Sequence, residues 1–547
     1  MACLAVAATA LLFQSLDARY LWQDEAACAV LATRMMETGK PLGYDGRNLI
    51  TMDEYRVEDA PVLTKLASDP EAMVQHFVEH GDFKSDTTWI GQPWGQFVLA
   101  GISMELFGKD TFNARLPFAI AGVLTVLLLF YFARTRFADQ RIAWIAVALL
   151  LANTFWFLHT RQCRYYSVAT FGLLATVLTY LRWRDGRRFG AALFVASGWL
   201  WFQHDFGSPW AVFGVMFFDA LLRDRARWRN TVFVFATLVM AIAPFVFFYQ
   251  MHTRVKASSE PWDQKFLSQI YNTNQYQLPI LLALGALWIL WREQRRAPSR
   301  ETHLVGLCLA IIAAKLVWMP TVGPLHFYRY IVDLTPISAV VLAYGASRTA
   351  ALVFDTARWQ TLLASGLAGV QILSAVFSQP LAGLFPAPTR SYSLPGWVLR
   401  PELRAYGDEL AGTAPDPNRD TIEYLRPLLR PEDEILVNYE DGPFIFYLRN
   451  RIRGGIPAFR ALDTSTPTRF VVFRRTVPFI HRSIFGMAFA PSGEIDAGQW
   501  RTIPAGLVDI TWGNNPDPGN VYSQLLMRRK QEWENTEMYL LESLKSP

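Results

Sequence analysis

The stretch Trp22-Gln23-Asp24-Glu25-Ala26 places two carboxylates just after the first apolar segment, which ends near Leu16. Small and apolar residues follow at helical spacing from Ala26 to Met36, and Gly39 stands where such a helix should end. Placing a charged side chain in or near the hydrocarbon of a membrane costs free energy, and such residues rarely occur without a partner. This pair is therefore a candidate functional site. The alternative interpretation is that Asp24 only caps the helix.

The composition is that of a protein with many membrane spans. Of 547 residues, 52% are hydrophobic, 14% are aromatic and only 18% are charged. We predict about eleven spans, several of them nearer 14 than 20 residues long, so that flanking side chains must reach the interface. They are the first apolar segment up to residue 16, then 116–133, 142–158, 165–181, 189–203, 206–222, 231–249, 278–291, 304–319, 331–344 and 359–377.

Lysine and arginine in the loops give the orientation. One alternating set of loops carries seventeen of these residues and the other short loops carry six, so the first set is predicted to be cytoplasmic. The acidic pair, the long first loop over 17–113 and everything after Phe377 should then lie outside the cytoplasm. The net charge of +5 comes from these short clusters, a pattern that indicates topology and not nucleic-acid binding. Four cysteines show neither metal-ligand spacing nor a disulfide pattern.

The composition changes after residue 378. Prolines 380, 386, 388 and 395 indicate a linker, and no further span follows. Beyond it the patterns predict helices at 421–429 and 443–448 and strands at 435–439 and 470–473. We therefore predict a polytopic α-helical membrane domain, residues 1–378, with juxtamembrane helices such as 97–107, followed by an extracytoplasmic α/β domain, residues 379–547.

Ionisable and aromatic residues from separate segments should meet at the outer face. Besides Asp24 and Glu25 they are Arg161, Arg164, Tyr165, Tyr166, His204, Asp205, His326, Arg329 and Tyr330. Taken singly, Arg164 and Arg329 fit equally well as interface anchors beside tyrosines, and His204 as part of a tight turn. Their shared side of the membrane favours a site, with Asp24 and the arginines meeting in one cavity.

The residue types indicate a chemistry. Arginine binds the oxygens of a phosphate or diphosphate through two parallel hydrogen bonds, and tyrosine can stack on a sugar. A carboxylate can act as general base toward a hydroxyl or amine. Adjacent residues face different ways on a helix, so Asp24 and Glu25 should not act as a pair. We favour Asp24 as the residue that faces the cavity.

The order of motifs resembles the GT-C superfamily of membrane glycosyltransferases, in the branch of protein O-mannosyltransferases and lipid A aminoarabinose transferases. The resemblance is best over the first 180 residues. It rests on Asp24-Glu25, Arg34-Met35-Met36-Glu37-Thr38-Gly39, Gly91-Gln92-Pro93-Trp94, Leu106-Phe107-Gly108 and Ala114-Arg115-Leu116-Pro117, and more loosely on Arg329-Tyr330 and Pro336.

The resemblance implies transfer of one sugar from a polyprenyl-phosphate carrier to an extracytoplasmic lipid, polysaccharide or protein, with inversion at the anomeric carbon, in the inner (plasma) membrane of a bacterium. Asp24 matches the catalytic aspartate, Arg164 and Arg329 would hold the phosphate, and Gln92 lies in the substrate-binding segment. Gln92-Pro93-Trp94 departs from the family's Lys-Pro-Pro, and Gly91 replaces a glutamate implicated in metal binding, so a divalent metal stays open. The insertion over 45–86 is longer than the usual loop.

Two other function classes stay open. A transporter, flippase or ligase of lipid-linked sugars would show inverted repeats or charge at mid-membrane, and the sequence shows no repeat. Lys315 and Asp333 lie near the outer ends of their predicted spans, within reach of the interface. An extracytoplasmic binding module would need fewer spans than eleven.

Overall fold

The computed structural model describes residues 1–50, 70–79, 83–251, 261–296, 299–323, 327–384, 400, 402–437, 440–454, 468–473, 500–507 and 539–544. These residues form two compact units. Unit 1 contains Met1–Gln14 and Phe118–Gly407, and unit 2 contains Ser15–Pro117 and the described residues from Asp408 onward. The first loop therefore belongs to the same compact unit as the C-terminal region, whereas the predicted domains are continuous in sequence, 1–378 and 379–547. His326 and most of the insertion over 45–86 lie outside the described residues.

The chain is mostly helical in the part that the structure describes. The helices are α1 (Ala2–Phe13), α2 (Gln23–Thr38), α3 (Pro70–Glu79), α4 (Gly95–Phe107), α5 (Thr111–Arg136), α6 (Arg141–Leu151), α7 (Thr154–Thr160), α8 (Tyr166–Arg184), α9 (Gly190–Phe202), α10 (Ser208–Arg223), α11 (Trp228–Phe248), α12 (Trp262–Tyr276), α13 (Ile280–Arg296), α14 (Arg300–Val322), α15 (Thr335–Val353), α16 (Ala357–Leu373), α17 (Glu402–Ala411), α18 (Pro417–Leu425) and α19 (Asp441–Tyr447). Short 3-10 helices include Tyr328–Leu334, directly before α15.

Each predicted span coincides with a helix or a helix pair of unit 1. By length and apolar composition, four helical segments among the described residues could cross a bilayer: Thr111–Arg136, Arg225–Phe248, Arg300–Val322 and Tyr328–Val353. A fifth results if α6 and α7, which are bent by 69°, form one span. The positions of the predicted spans are thus confirmed as helices, while a total of eleven spans stays a prediction.

The core of unit 1 surrounds α15, which packs against α6, α13, α14 and α16. Pro336 lies in its first turn, where a missing backbone N–H costs nothing. The break between α6 and α7 is fixed by Asn153: its Oδ1 accepts the Trp156 N–H at 2.9 Å and its Nδ2 donates to the Tyr276 carbonyl at 2.6 Å. A polar residue therefore holds the bend inside an apolar bundle.

Unit 2 contains a five-stranded sheet in the order β2-β1-β3-β5-β4. The strands are β1 (Glu434–Val437), β2 (Arg451–Gly454), β3 (Thr468–Phe473), β4 (Trp500–Ile503) and β5 (Tyr539–Ser543). β1 is parallel to β2 and β3, and β5 is antiparallel to β3 and β4. The helices predicted at 421–429 and 443–448 and the strand predicted at 470–473 are confirmed, with shifts of a few residues at their ends. The strand predicted at 435–439 is confirmed up to Val437, and its last two residues lie outside the described ones.

The first loop is part of unit 2 through specific hydrogen bonds with the C-terminal region. The Leu21 N–H donates to the Tyr447 hydroxyl at 2.9 Å, and Gln23 Nε2 donates to Asp441 Oδ1 at 2.7 Å. The Ile452 N–H donates to Asn48 Oδ1 at 2.8 Å. Unit 2 is therefore built from two segments that are almost 300 residues apart in sequence.

Candidate active site

The acidic pair lies in the first turn of α2, in unit 2. The helix begins at Gln23 with Trp22 as its N-cap and ends at Thr38, with Gly39 as its C-cap at a φ of 78°. The alternative interpretation of Asp24 as the helix cap is therefore wrong, whereas the predicted end at Gly39 is confirmed. Asp24 is partly exposed and lies in the first turn of the helix.

Glu25 is fully buried and is held by Arg115. Arg115 Nε and Nη2 donate to its two carboxylate oxygens at 2.8 and 2.7 Å, a bidentate pair. Arg115 Nη1 also donates to the carbonyls of Leu16 and Arg19 at 2.8 and 2.9 Å. Glu25 thus fixes the start of α2 against the start of α5, and Asp24 is the partly exposed carboxylate of the pair.

In unit 1 the structure brings together five of the predicted residues: Arg164, Tyr165, Tyr166, Arg329 and Tyr330, here called the arginine–tyrosine cluster. Arg164 Cζ lies 5.7 Å from the centroid of the Tyr165 ring, and the rings of Tyr165 and Tyr166 are 4.6 Å apart. The Tyr330 side chain is close enough to interact electrostatically with the Tyr165 hydroxyl. The 3-10 helix that carries Arg329 packs against α7 and α8, which explains the convergence.

His159 links the two arginine-bearing segments. Its buried ring lies 5.1 Å from the Tyr166 ring and 6.3 Å from the Tyr328 ring, and it is within electrostatic range of Arg329. His159 was not among the predicted site residues, because it directly follows the span predicted at 142–158 and carries no motif. Guanidinium groups from two elements beside tyrosine rings form an arrangement that suits a phosphate-bearing ligand.

Other predicted residues lie apart from this cluster or support it. Arg161 is buried, donates to the Gln14 carbonyl and stacks at 4.8 Å on the Phe157 ring, so it ties α7 to α1. Gln92, in unit 2, accepts a hydrogen bond from Gln96 Nε2 at 3.1 Å. Asp205 lies within electrostatic range of Tyr165, and its Oδ1 accepts the backbone N–H of Gly207 and Ser208 at the start of α10. His326 lies outside the described residues.

His204 precedes Asp205 in the short connection between α9 and α10. Burial lowers the pKa of its imidazole to about 4, and its Nδ1 has no hydrogen-bond partner among the described residues. The ring is therefore neutral at pH 7, which makes it a poor partner for phosphate.

We expect His204 to make stability depend on pH. Its folded pKa of about 4 is below the unfolded value near 6.5, so only the unfolded chain is protonated in between. Stability should fall by up to about 3 kcal/mol as pH drops through this window. His204→Gln should flatten the fall in a pH series of thermal unfolding, while His303→Gln should retain it. An equal fall in both variants would contradict this origin.

A buried ion pair was also missed. Lys315, fully buried on α14, pairs with Asp333, which is 3% exposed. The expectation that these side chains reach the membrane interface is wrong, because their opposite charges satisfy each other inside unit 1.

The polar helix α12 was missed as well, although Lys265, Gln269, Asn272 and Tyr276 recur at helical spacing and could have revealed it. Among the described residues, no group of three or more His, Cys, Asp or Glu side chains could hold a metal.

Comparison with known proteins agrees with this architecture. The profile of the family described as dolichyl-phosphate-mannose-protein mannosyltransferase matches residues 92–249. The structure of ArnT from Cupriavidus metallidurans bound to undecaprenyl phosphate is similar with a TM-score of 0.50 and 17% identity, over 85% of this chain and 88% of ArnT. The apo structure of ArnT gives a TM-score of 0.51 and 16% identity, over 84% and 87%.

The arabinosyltransferase EmbB from Mycobacterium smegmatis is a more distant structural match, with a TM-score of 0.35 and 13% identity over 76% of this chain and 41% of EmbB. No curated protein sequence matches the chain significantly. At 16–17% identity, the two ArnT structures establish similarity of fold. Together with the family match and the apolar helices of unit 1, they confirm the predicted resemblance: the chain has the GT-C fold of membrane glycosyltransferases.

Proposed function

We propose that this protein transfers one sugar from a polyprenyl-phosphate carrier to an acceptor outside the cytoplasm. The observation that carries the proposal is the arginine–tyrosine cluster, in which Arg164 and Arg329 come from different elements of a GT-C fold. A buried guanidinium group, that of Arg164, and a half-buried one, that of Arg329, suit the phosphate of a lipid carrier in a membrane protein. ArnT, which shares the fold, has been crystallised with undecaprenyl phosphate, and this supports the same class of donor here.

In the proposed reaction Asp24 is the general base. The acceptor hydroxyl or amine attacks the anomeric carbon, its proton passes to the Asp24 carboxylate, and the bond between that carbon and the phosphate oxygen breaks. One displacement of this kind inverts the anomeric configuration. The departing phosphate carries the bonding electron pair, and Arg164 and Arg329 stabilise its negative charge. That Asp24 and both arginines act on one substrate stays a prediction, as do the extracytoplasmic site and the bacterial plasma membrane.

Arg329 should contribute mainly through binding of the carrier phosphate. We expect Arg329→Gln to lower kcat/KM for a radiolabelled lipid-linked sugar donor by roughly 10- to 100-fold, because a charge-assisted hydrogen bond is worth about 1.5–3 kcal/mol. Arg329→Lys should recover only part, since lysine loses the bidentate geometry. The exposed Arg358, on α16, supplies the control Arg358→Gln, which should be unchanged. Equal activity of Arg329→Gln and this control would refute the role.

The activity itself is tested by mass spectrometry of lipid and glycan fractions with and without the gene. A glycosyltransferase makes a new glycosidic bond, so one glycan should lose a single sugar when the gene is deleted. Deletion of a flippase would remove the same sugar, because the donor would no longer reach the acceptor, so the two functions are distinguished by whether the purified protein itself transfers the sugar from a lipid-linked donor. Unchanged glycans in the deletion strain would argue against the proposed transfer.

A further inference from the structure

Unit 1 contains a small cavity that the proposed transfer does not use. It lies at the break between α6 and α7, beside α15, α16 and Arg400, and has a volume of about 40 Å³. That is room for roughly three water molecules or a polar group of similar size. Phe155 and Tyr276 line it, and both rings also contact the Tyr328 ring, at 5.5 and 6.0 Å. An aromatic layer therefore separates the cavity from His159.

Three buried side chains give the cavity wall unused hydrogen-bonding capacity. Arg400 Nη2 is a donor with no partner among the described residues, although Nη1 donates to Glu402 Oε1 at 2.9 Å and Nε to two backbone carbonyls. The Oε1 atoms of Gln277 and Gln371 likewise have no partner in that part of the chain. The three residues are only 8%, 3% and 8% exposed. Because buried polar groups are almost always hydrogen-bonded, we expect these three atoms to form hydrogen bonds with a ligand in the cavity.

The chemistry of the wall selects the ligand. One donor and two acceptors are complementary to a hydroxyl group, which both accepts and donates hydrogen bonds. Arg400 is already paired with Glu402, so the wall carries no net charge and offers little to an anion. The volume also suits a head of about three heavy atoms better than a phosphodiester. A small uncharged head with hydroxyl groups fits best.

An apolar cleft continues from this cavity. It lies between α13, α15 and α16, has a volume of about 80 Å³, and shares Leu149, Leu342 and Gln371 with the cavity. The cleft is open at Gly285, where an added Cβ would meet nothing within 4 Å, and at Gly345, where it would meet only the Ala286 Cβ at 3.9 Å. Small residues thus leave space for an aliphatic chain between helices that are predicted to span the membrane.

We propose that the cavity and the cleft together bind an uncharged membrane lipid with a hydroxyl-bearing head. The hydroxyl groups lie between Arg400 Nη2 and the amide oxygens of Gln277 and Gln371, and the aliphatic chain lies in the cleft. The site is separate from the arginine–tyrosine cluster and takes a different class of lipid from the phosphate-bearing donor.

The test uses the purified full chain in detergent with two probes, the monoacylglycerol monooleoylglycerol and methyl oleate, which lacks hydroxyl groups. Binding is measured by native mass spectrometry and by the shift of the thermal unfolding midpoint. Gly345→Leu fills the cleft, and Gly366→Leu, on α16 outside it, is the matched control. Gln371→Leu removes an amide oxygen that has no partner among the residues described by the structure, so the fold should tolerate it.

We expect monooleoylglycerol, and not methyl oleate, to bind and to raise the unfolding midpoint. Gly345→Leu should abolish binding, Gln371→Leu should weaken it by roughly 3- to 10-fold, and Gly366→Leu should bind like the parent chain. The proposal is overturned if both probes bind alike, or if neither binds and Gln371→Leu alone raises the midpoint, which would mean that the cavity holds only water. Should Gly345→Leu fail to fold, Gly285→Leu fills the same cleft from α13.

Discussion

Replacing Asp24 by Asn should reduce sugar transfer by about 10²- to 10⁴-fold and leave the stability of the protein unchanged. The carboxylate is proposed to take the acceptor's proton in the bond-forming step, and removal of a positioned general base has this order of effect. The amide is nearly the same size but cannot accept that proton. Asp24 is partly exposed at the start of α2, and the isosteric amide keeps one of its two acceptor oxygens, so the replacement should cost little stability.

The measurement is single-turnover transfer from a radiolabelled lipid-linked sugar, with thermal unfolding of the same preparation. Glu37→Gln is the matched control, since Glu37 is an exposed carboxylate on the same helix and pairs with Lys109 at 2.8 Å. Its activity should equal that of the parent chain. Full activity in Asp24→Asn would remove the proposed base. Loss of activity together with lower stability would instead assign Asp24 a structural role.

The largest expected effect on stability comes from Arg115. Arg115→Met leaves the fully buried Glu25 carboxylate without its bidentate partner and should lower the free energy of unfolding by about 3–5 kcal/mol. Combining it with Glu25→Leu should recover part of the loss, because no buried charge then remains. Recovery should be incomplete, since the carbonyls of Leu16, Arg19 and Tyr20 still lose the guanidinium donor.

Thermal or denaturant unfolding in detergent measures this loss, and Arg136→Met is the matched control. Arg136 lies on the same helix, α5, and pairs with Asp185 at 2.5 Å where both side chains are partly exposed. A pair in contact with solvent should contribute less than about 1 kcal/mol. If the two variants unfold alike, the pair between Arg115 and Glu25 does not fix the start of α2.

Apolar runs were sufficient to locate most helices of unit 1, because those helices are apolar over most of their length. They could not locate α12, a polar helix whose buried face is made of lysine, glutamine and asparagine. The convergence of Arg164, Tyr165 and Arg329 followed from sidedness and family motifs. The sequence did not predict that Glu25 pairs with Arg115 or Lys315 with Asp333. Each ion pair joins residues that are distant in sequence, and its formation is decided by tertiary packing.

The make-up of unit 2 bears on how the protein is synthesised. Residues 15–117 leave the ribosome long before Asp441, Tyr447 and Ile452, with which they form hydrogen bonds. The nascent first loop therefore stays incompletely folded until roughly 300 further residues have been translated and inserted. Contacts between segments so far apart in sequence form slowly. A chain stopped before the C-terminal sheet would leave this early segment without its native partners, a target for quality-control proteases.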